Sequence, residues 1–216
     1  MADFTLWEIV HDLLMATRWT LLLSLVSFVG GGVLGMLLLL MRTSRNPLLR
    51  GVAATFVNVF QSTPLLMQMF LAFFGLALFG FDVPAWVAAS TALILWSAAF
   101  FAEIWRGCVA SVPKGQWEAS TSLAMSYMEQ MRHVILPQAV RIAIPPTVGF
   151  AVQIVKSTAI SSIVGFMEVS KVGSMITNAT LEPLTVFAIT GAIYFSICWA
   201  LSKASQLLER KLRVTH

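Results

Sequence analysis

The sequence predicts an all-α fold, a polytopic membrane helix bundle with about five transmembrane helices in a single domain, residues 1–216. Three observations predict it. Hydrophobic residues make up 58% of the chain and charged residues 11%, far from the balance of soluble domains. The charges are gathered: uncharged runs cover residues 19–41, 51–81, 83–102, 142–155, 157–167 and 183–202, and several reach the roughly 20 residues a helix needs to cross the hydrocarbon core. Between the spans lies one long polar interval, residues 106–141, patterned as two short helices.

Taken in order, residues 3–15 place Leu6, Trp7, Val10, Leu13 and Leu14 on one helical face and Glu8, His11 and Asp12 on the other. Two readings stand for this segment: an interfacial helix lying on the bilayer, or an extension of the first span. Span one runs from about Arg18 to Met41, and Gly30, Gly31, Gly32 and Gly35 give it a small-residue face for close helix packing. The run is not read as a signal peptide: it is long, lacks a small-residue cleavage site and follows acidic residues. Asn46-Pro47 marks a turn before span two, Val52 to Phe79, in which Pro64 sets a kink. Span three runs from Pro84 to Trp105. Glu103 and Arg106 stand three apart at its end, on one side of a helix, and pair structurally.

The polar interval comes next. Pro113 suits the first turn of a helix, which continues through Gln116, Trp117, Glu118 and Ala119 to about Met125. Ser126 and Glu129 form an S-x-x-E capping box that opens a second helix. Leu136-Pro137 is expected to end it, because proline disfavours helical geometry in the residue before it. Span four starts near Ile142, with Pro145-Pro146 in its first turn, and is interrupted at Lys156-Ser157-Thr158. A loop with Glu168, Lys171, Gly173 and Asn178 leads to span five, Pro183 to Ser202.

A pI near 9.4 does not imply a nucleic-acid partner here, since the basic residues sit at span ends. With five spans, eleven of the fourteen fall on one side: Arg42, Arg45, Arg50, Arg106, Lys114, Arg132, Arg141, Lys203, Arg210, Lys211 and Arg213. Arg18, Lys156 and Lys171 fall on the other. The positive-inside rule then puts the polar interval and the C-terminus in the cytoplasm and the N-terminus outside. The cysteines, Cys108 and Cys198, do not suggest a structural disulfide. His11, His133 and His216 are scattered, and neither a metal-ligand cluster, a phosphate loop nor a nucleophile constellation is present. No catalytic residue is assigned.

The polar interval carries a resemblance. Glu118-Ala119-Ser120, then Ala124, Val134 and Leu136-Pro137 at their spacings, resembles the EAA loop of ABC-importer permeases. The longer stretches RGCVASVPKGQWEAS, LPQAVRIAIPP, STPLLMQMFLAFFGL and VKSTAISS are similar to the polar-amino-acid branch, of histidine and glutamine type. Three motif positions depart from the pattern: Ser120 for Ala, Ala124 for Gly and Val134 for Ile. Ala124 is the one to watch, because Gly permits turn geometry that Ala restricts. Relatives also carry Arg-Gly where this chain has Gln61-Ser62, and Asp where it has Ser157.

The resemblance implies an ABC type I importer transmembrane domain with a cytoplasmic coupling helix, in the bacterial inner membrane. It implies a permease without enzymatic activity, working with a second permease subunit, identical or homologous, and two ATP-binding subunits that hold ATP and Mg. An extracytoplasmic binding protein would deliver a polar amino acid. Another small solute such as an opine, or a channel or scaffold without ATP coupling, are the alternatives. Gly115, Gln116, Trp117, Glu118, Ala119, Ser120 and Ala124 then form the ATPase-coupling element, with Trp117 offering apolar contact and Glu118 a charge to pair. The other reading of Glu118 is a solvated charge.

Lys156, Ser157, Thr158, Gln61 and Gln68 are the candidates for the substrate path. An ionisable residue inside a span points to function, and hydroxyls beside it can satisfy a broken helix, a common construction in transporter sites. The competing readings are a lysine snorkelling to the interface and, for the glutamines, polar helix packing.

Overall fold

The structure, a computed structural model, describes residues 5–44 and 46–212; Asp3, Phe4, Arg45, Arg213 and His216, used above, lie outside them. The described residues are mostly helical, with no strand among them. Thr5 caps α1 (Leu6–Thr43) in a capping box with Glu8. The N-terminal amphipathic segment is therefore the first turns of span one. Its 38 residues extend roughly 57 Å at 1.5 Å per residue, longer than the hydrocarbon core.

The chain returns through α2 (Pro47–Ser62), capped by Asn46, and α3 (Leu65–Phe70), which continues as a π turn over Leu71–Gly75. The kink expected at Pro64 is a sharp break: the second span is bent by 104° between these pieces. Pro64 has no N–H to give the Phe60 carbonyl. Gln68 supplies the missing donor: its Nε2 lies 2.9 Å from the Phe60 oxygen and 3.0 Å from that of Thr63.

Helix α4 (Ala85–Ala110) is the central post. Ala88, Ala89, Ala92, Ala98, Ala99 and Ala102 are buried along it, so neighbouring backbones approach closely. In a bilayer such packing, not hydrophobic drive, holds helices together. Gly31 and Gly35 of α1 meet α4 directly: a Cβ on Gly31 would lie 2.1 Å from Ser97 Oγ, and one on Gly35 2.8 Å from Phe101 Cβ. Ser97 Oγ donates to the Ser27 carbonyl across the seam at 3.0 Å. The predicted glycine face is thus the α1–α4 contact. Phe28, Phe101 and Phe150 stack edge-on around it.

After α5 (Lys114–Ser122), the second helix of the polar interval does not stop at Leu136-Pro137. α6 (Tyr127–Glu129), a π turn (Gln130–Ile135) and α7 (Leu136–Thr158) form one continuous helical run, and span four begins well before Ile142. The π register widens the turn ahead of Pro137 and absorbs its missing N–H. Pro145 and Pro146 lie inside α7. The run closes in a 3₁₀ turn, Ala159–Ser162. The expected loop around Glu168 is instead a helix, α8 (Val169–Thr180), followed by α9 (Pro183–Leu212). Four helices are long and apolar enough to span a membrane, five when the bent α2–α3 pair counts as one.

Candidate docking helix and translocation residues

Helix α5 ends earlier than Met125, and the reason sits at Ala124. Its φ is +57°, the left-handed conformation that favours glycine. The Met125 N–H reaches the Ser120 carbonyl at 3.2 Å, and the Ala124 N–H reaches that of Thr121 at 2.9 Å. Together these bonds make a Schellman closure. The position where the EAA pattern carries Gly is the one the backbone turns left-handed, and this chain bears that turn on an alanine.

The inner side of α5 is anchored to its own chain. Ser120 is buried. Trp117 is half-buried: it packs on the cluster of Val112, Ile135 and Ala139 and stacks on Tyr127 at 6.4 Å. Buried Gln130 donates to Met125 O (2.9 Å) and Thr121 Oγ1 (3.2 Å), and Gln138 Nε2 donates to Gln116 Oε1 at 3.2 Å. The predicted Ser126–Glu129 capping box is present, with both reciprocal bonds.

The opposite face is open. Gly115, Glu118, Ala119 and Ser122 are all exposed, and their i, i+3, i+4, i+7 spacing puts them on one side of the helix. Three small residues flank one carboxyl. No ion pair reaches Glu118 among the described residues. A helix gripped on one side and presenting a shallow, small-residue face on the other suits insertion into a groove.

At the same end, Glu103 bonds Arg106 as expected and also Arg42 Nη1 of α1 at 2.8 Å. The second arginine ties α1 to α4 and was not foreseen, because nothing in spacing links residues 61 apart. Cys108 and Cys198 are buried free thiols.

The substrate-path candidates do not form one cluster. Lys156 is exposed on α7, whereas Ser157 and Thr158 are buried. The α-helix persists through Thr158 and tightens just after it. Hydroxyls serve that transition: Thr158 donates to Val155 O (2.7 Å), Ser161 to Thr158 O (2.6 Å) and Ser162 to Ala159 O (2.7 Å). Gln61 Nε2 donates to Ala99 O of α4 at 3.3 Å, and Gln68 staples the bend. α3 touches the 3₁₀ turn, so the two interrupted helices meet.

The family described as the binding-protein-dependent transport system inner membrane component matches residues 20–214. The chain belongs to that family. Among relatives of this permease, the probable amino-acid ABC transporter permease YckA of Bacillus subtilis (strain 168) is 35% identical over 89% of the chain and 85% of its own length. The nopaline transport system permease NocM of Agrobacterium fabrum is 37% identical over 94% and 88%. A solved structure described as an amino acid ABC transporter with histidines aligns with a TM-score of 0.90 at 33% identity, covering 93% of this chain and 94% of that one. The permease is a multi-pass membrane protein of this class.

Proposed function

We propose that this permease is the translocation subunit of an ATP-driven importer of a polar amino acid, and that the exposed Gly115–Glu118–Ala119–Ser122 face of α5 docks on an ATP-binding subunit. That face is the observation that carries the reading, because α5 is fixed from behind by Trp117 and Gln130 and bare in front. The chain itself hydrolyses nothing. Two ATP-binding subunits supply ATP and Mg, a second permease subunit completes the path, and an extracytoplasmic binding protein delivers the solute. The α5 end lies in the cytoplasm of a bacterial inner membrane, with the N-terminus outside. Nine described basic residues at that end support this orientation: Arg42, Arg50, Arg106, Lys114, Arg132, Arg141, Lys203, Arg210 and Lys211.

Lys156 contributes to the path by offsetting the desolvation of a substrate carboxylate. Gln61, bonded to the Ala99 carbonyl of α4 beside the α2–α3 bend, is assigned to the path separately from Lys156. Thr158 and Gln68 shape the path by holding its broken helices, and buried Ser157 is assigned to it beside Lys156. The second reading, an opine as substrate, is favoured by the nopaline permease among the relatives.

The test is reconstitution of the permease with its ATP-binding subunit and binding protein in liposomes. Uptake of a polar amino acid that requires ATP and the binding protein supports the reading. Uptake of nopaline or octopine alone moves it to the opine class, and solute flux without ATP overturns it. Cysteines at Lys114 and Arg210 should label from inside and those at Trp7 and Glu182 from outside; Trp7 and Arg210 on one side would overturn the orientation.

A further inference from the structure

At the end opposite α5 sits a carboxyl that nothing above uses. Glu168 is 0% exposed, and no Lys or Arg pairs with it among the described residues. A buried carboxyl is unfavourable unless hydrogen-bonded, and this one is bonded from every side. The Lys171 N–H donates to Oε1 at 2.9 Å, making Glu168 the N-cap of α8. The Tyr194 hydroxyl of α9 donates to Oε2, as does Thr20 Oγ1 of α1 at 3.4 Å. Thr20 Oγ1 in turn accepts the Val169 N–H at 3.3 Å. The Tyr194 hydroxyl also meets Ser170 Oγ at 3.2 Å and faces Thr158, the last residue of α7.

Capping alone does not call for this residue. Short side chains cap best, and a cap can remain in water. Glutamate is long enough to cap α8 while reaching α1 and α9. Burial nevertheless pushes its carboxyl above the usual range, against the pull of its donors, so the network holds this group despite an unfavourable setting.

We propose that Glu168 is a positioning residue that locks α8 to α1, α9 and the end of α7, so that α8 moves as one body with the Lys156–Thr158 segment during the transport cycle. The proposal rests on the importer reading for its transport arm. Close packing supports it: Gly173 of α8 sits so near α9 that a Cβ there would lie 2.8 Å from Thr190 Oγ1. With the carboxyl bonded to neighbouring elements, α8 cannot shift without disturbing the α7 terminus.

The reconstituted complex provides the test. Glu168→Ala should lower uptake about tenfold while ATP hydrolysis stays within about twofold, the range of coupling effects expected from a network residue. ATP consumed per solute should therefore rise at least about fivefold. Glu168→Gln, which keeps the cap and can still bond Tyr194 and Thr20, should restore most of the uptake. A purely structural residue would lower uptake, hydrolysis and assembled complex together, leaving the ratio unchanged, and that result overturns the proposal. Should Glu168→Ala fail to assemble, Tyr194→Phe decides by the same ratio. Spin labels at Met175 on α8 and Ser90 on α4 separate this claim from the importer reading. Their distance distribution should broaden in Glu168→Ala and not in Glu168→Gln, whatever solute is carried; an unchanged distribution also overturns it.

Discussion

Glu118 and Glu168 are both glutamates in polar intervals between spans, and their surroundings are opposite. Glu118 lies on an exposed helical face with no ion pair from its own chain among the described residues. Glu168 is buried and bonded to α1, α8 and α9. One carboxyl has its intramolecular partners in place; the other is left open, as the docking proposal requires. The difference teaches where each end of the permease does its work. On the docking proposal, the α5 end receives force from outside the chain, which accords with contacts satisfied on one face only. The Glu168 end, proposed to move as a unit, has its polar groups satisfied internally.

Both ends hang on the α1–α4 seam, and breaking it should erase the contrast. Gly35→Leu drives a side chain into Phe101 Cβ and the Ala98 carbonyl. We expect destabilisation of about 3 kcal/mol or more, read as loss of monodisperse protein in detergent. Retained thermal stability would mean that the seam opens without loss. A smaller effect should come from Gln68→Ala, which strands the Phe60 and Thr63 carbonyls at the bend. The expected loss is about 1–3 kcal/mol in thermal unfolding, with α5 unaffected.

Trp117→Ala sharpens the comparison at the docking end alone. It removes the inward anchor and leaves Gly115, Glu118 and Ala119 in place. Amide exchange across α5 should accelerate about tenfold for a loss of about 1–2 kcal/mol, while exchange around Glu168 stays fixed. Faster exchange at both ends would show that they are not separate units. The smallest effect is a gain: Ala124→Gly relieves the left-handed alanine by about 1 kcal/mol. It should slow exchange of the closing amides of α5 about fivefold.

Some of this was legible before any coordinates. The glycine face of span one, the Ser126–Glu129 capping box and the Glu103–Arg106 pair each rest on spacing within one segment, and local spacing is what a sequence displays. The packing of Trp117 on Ile135 and Ala139 was not legible, because those residues lie 18 and 22 positions further along the chain. Pro137 was read as a stop because a π turn that tolerates it has no sequence signal of its own. Glu168 was placed in a loop: its partners Thr20 and Tyr194 lie 148 and 26 residues away. The helix-capping role alone had a visible trace, a glutamate just ahead of Val169.

The central claim is that the outer face of α5 carries the ATPase cycle into the spans. Its most direct measurement is solute uptake and binding-protein-stimulated ATP hydrolysis by reconstituted complexes carrying Glu118→Lys or Ala119→Trp. Both substitutions sit on the exposed face and touch none of the anchoring contacts, so membrane insertion should be unchanged. Uptake and stimulated hydrolysis should each fall about tenfold or more, the scale of a coupling free energy between subunits. Normal uptake and normal stimulation in both variants would contradict the account.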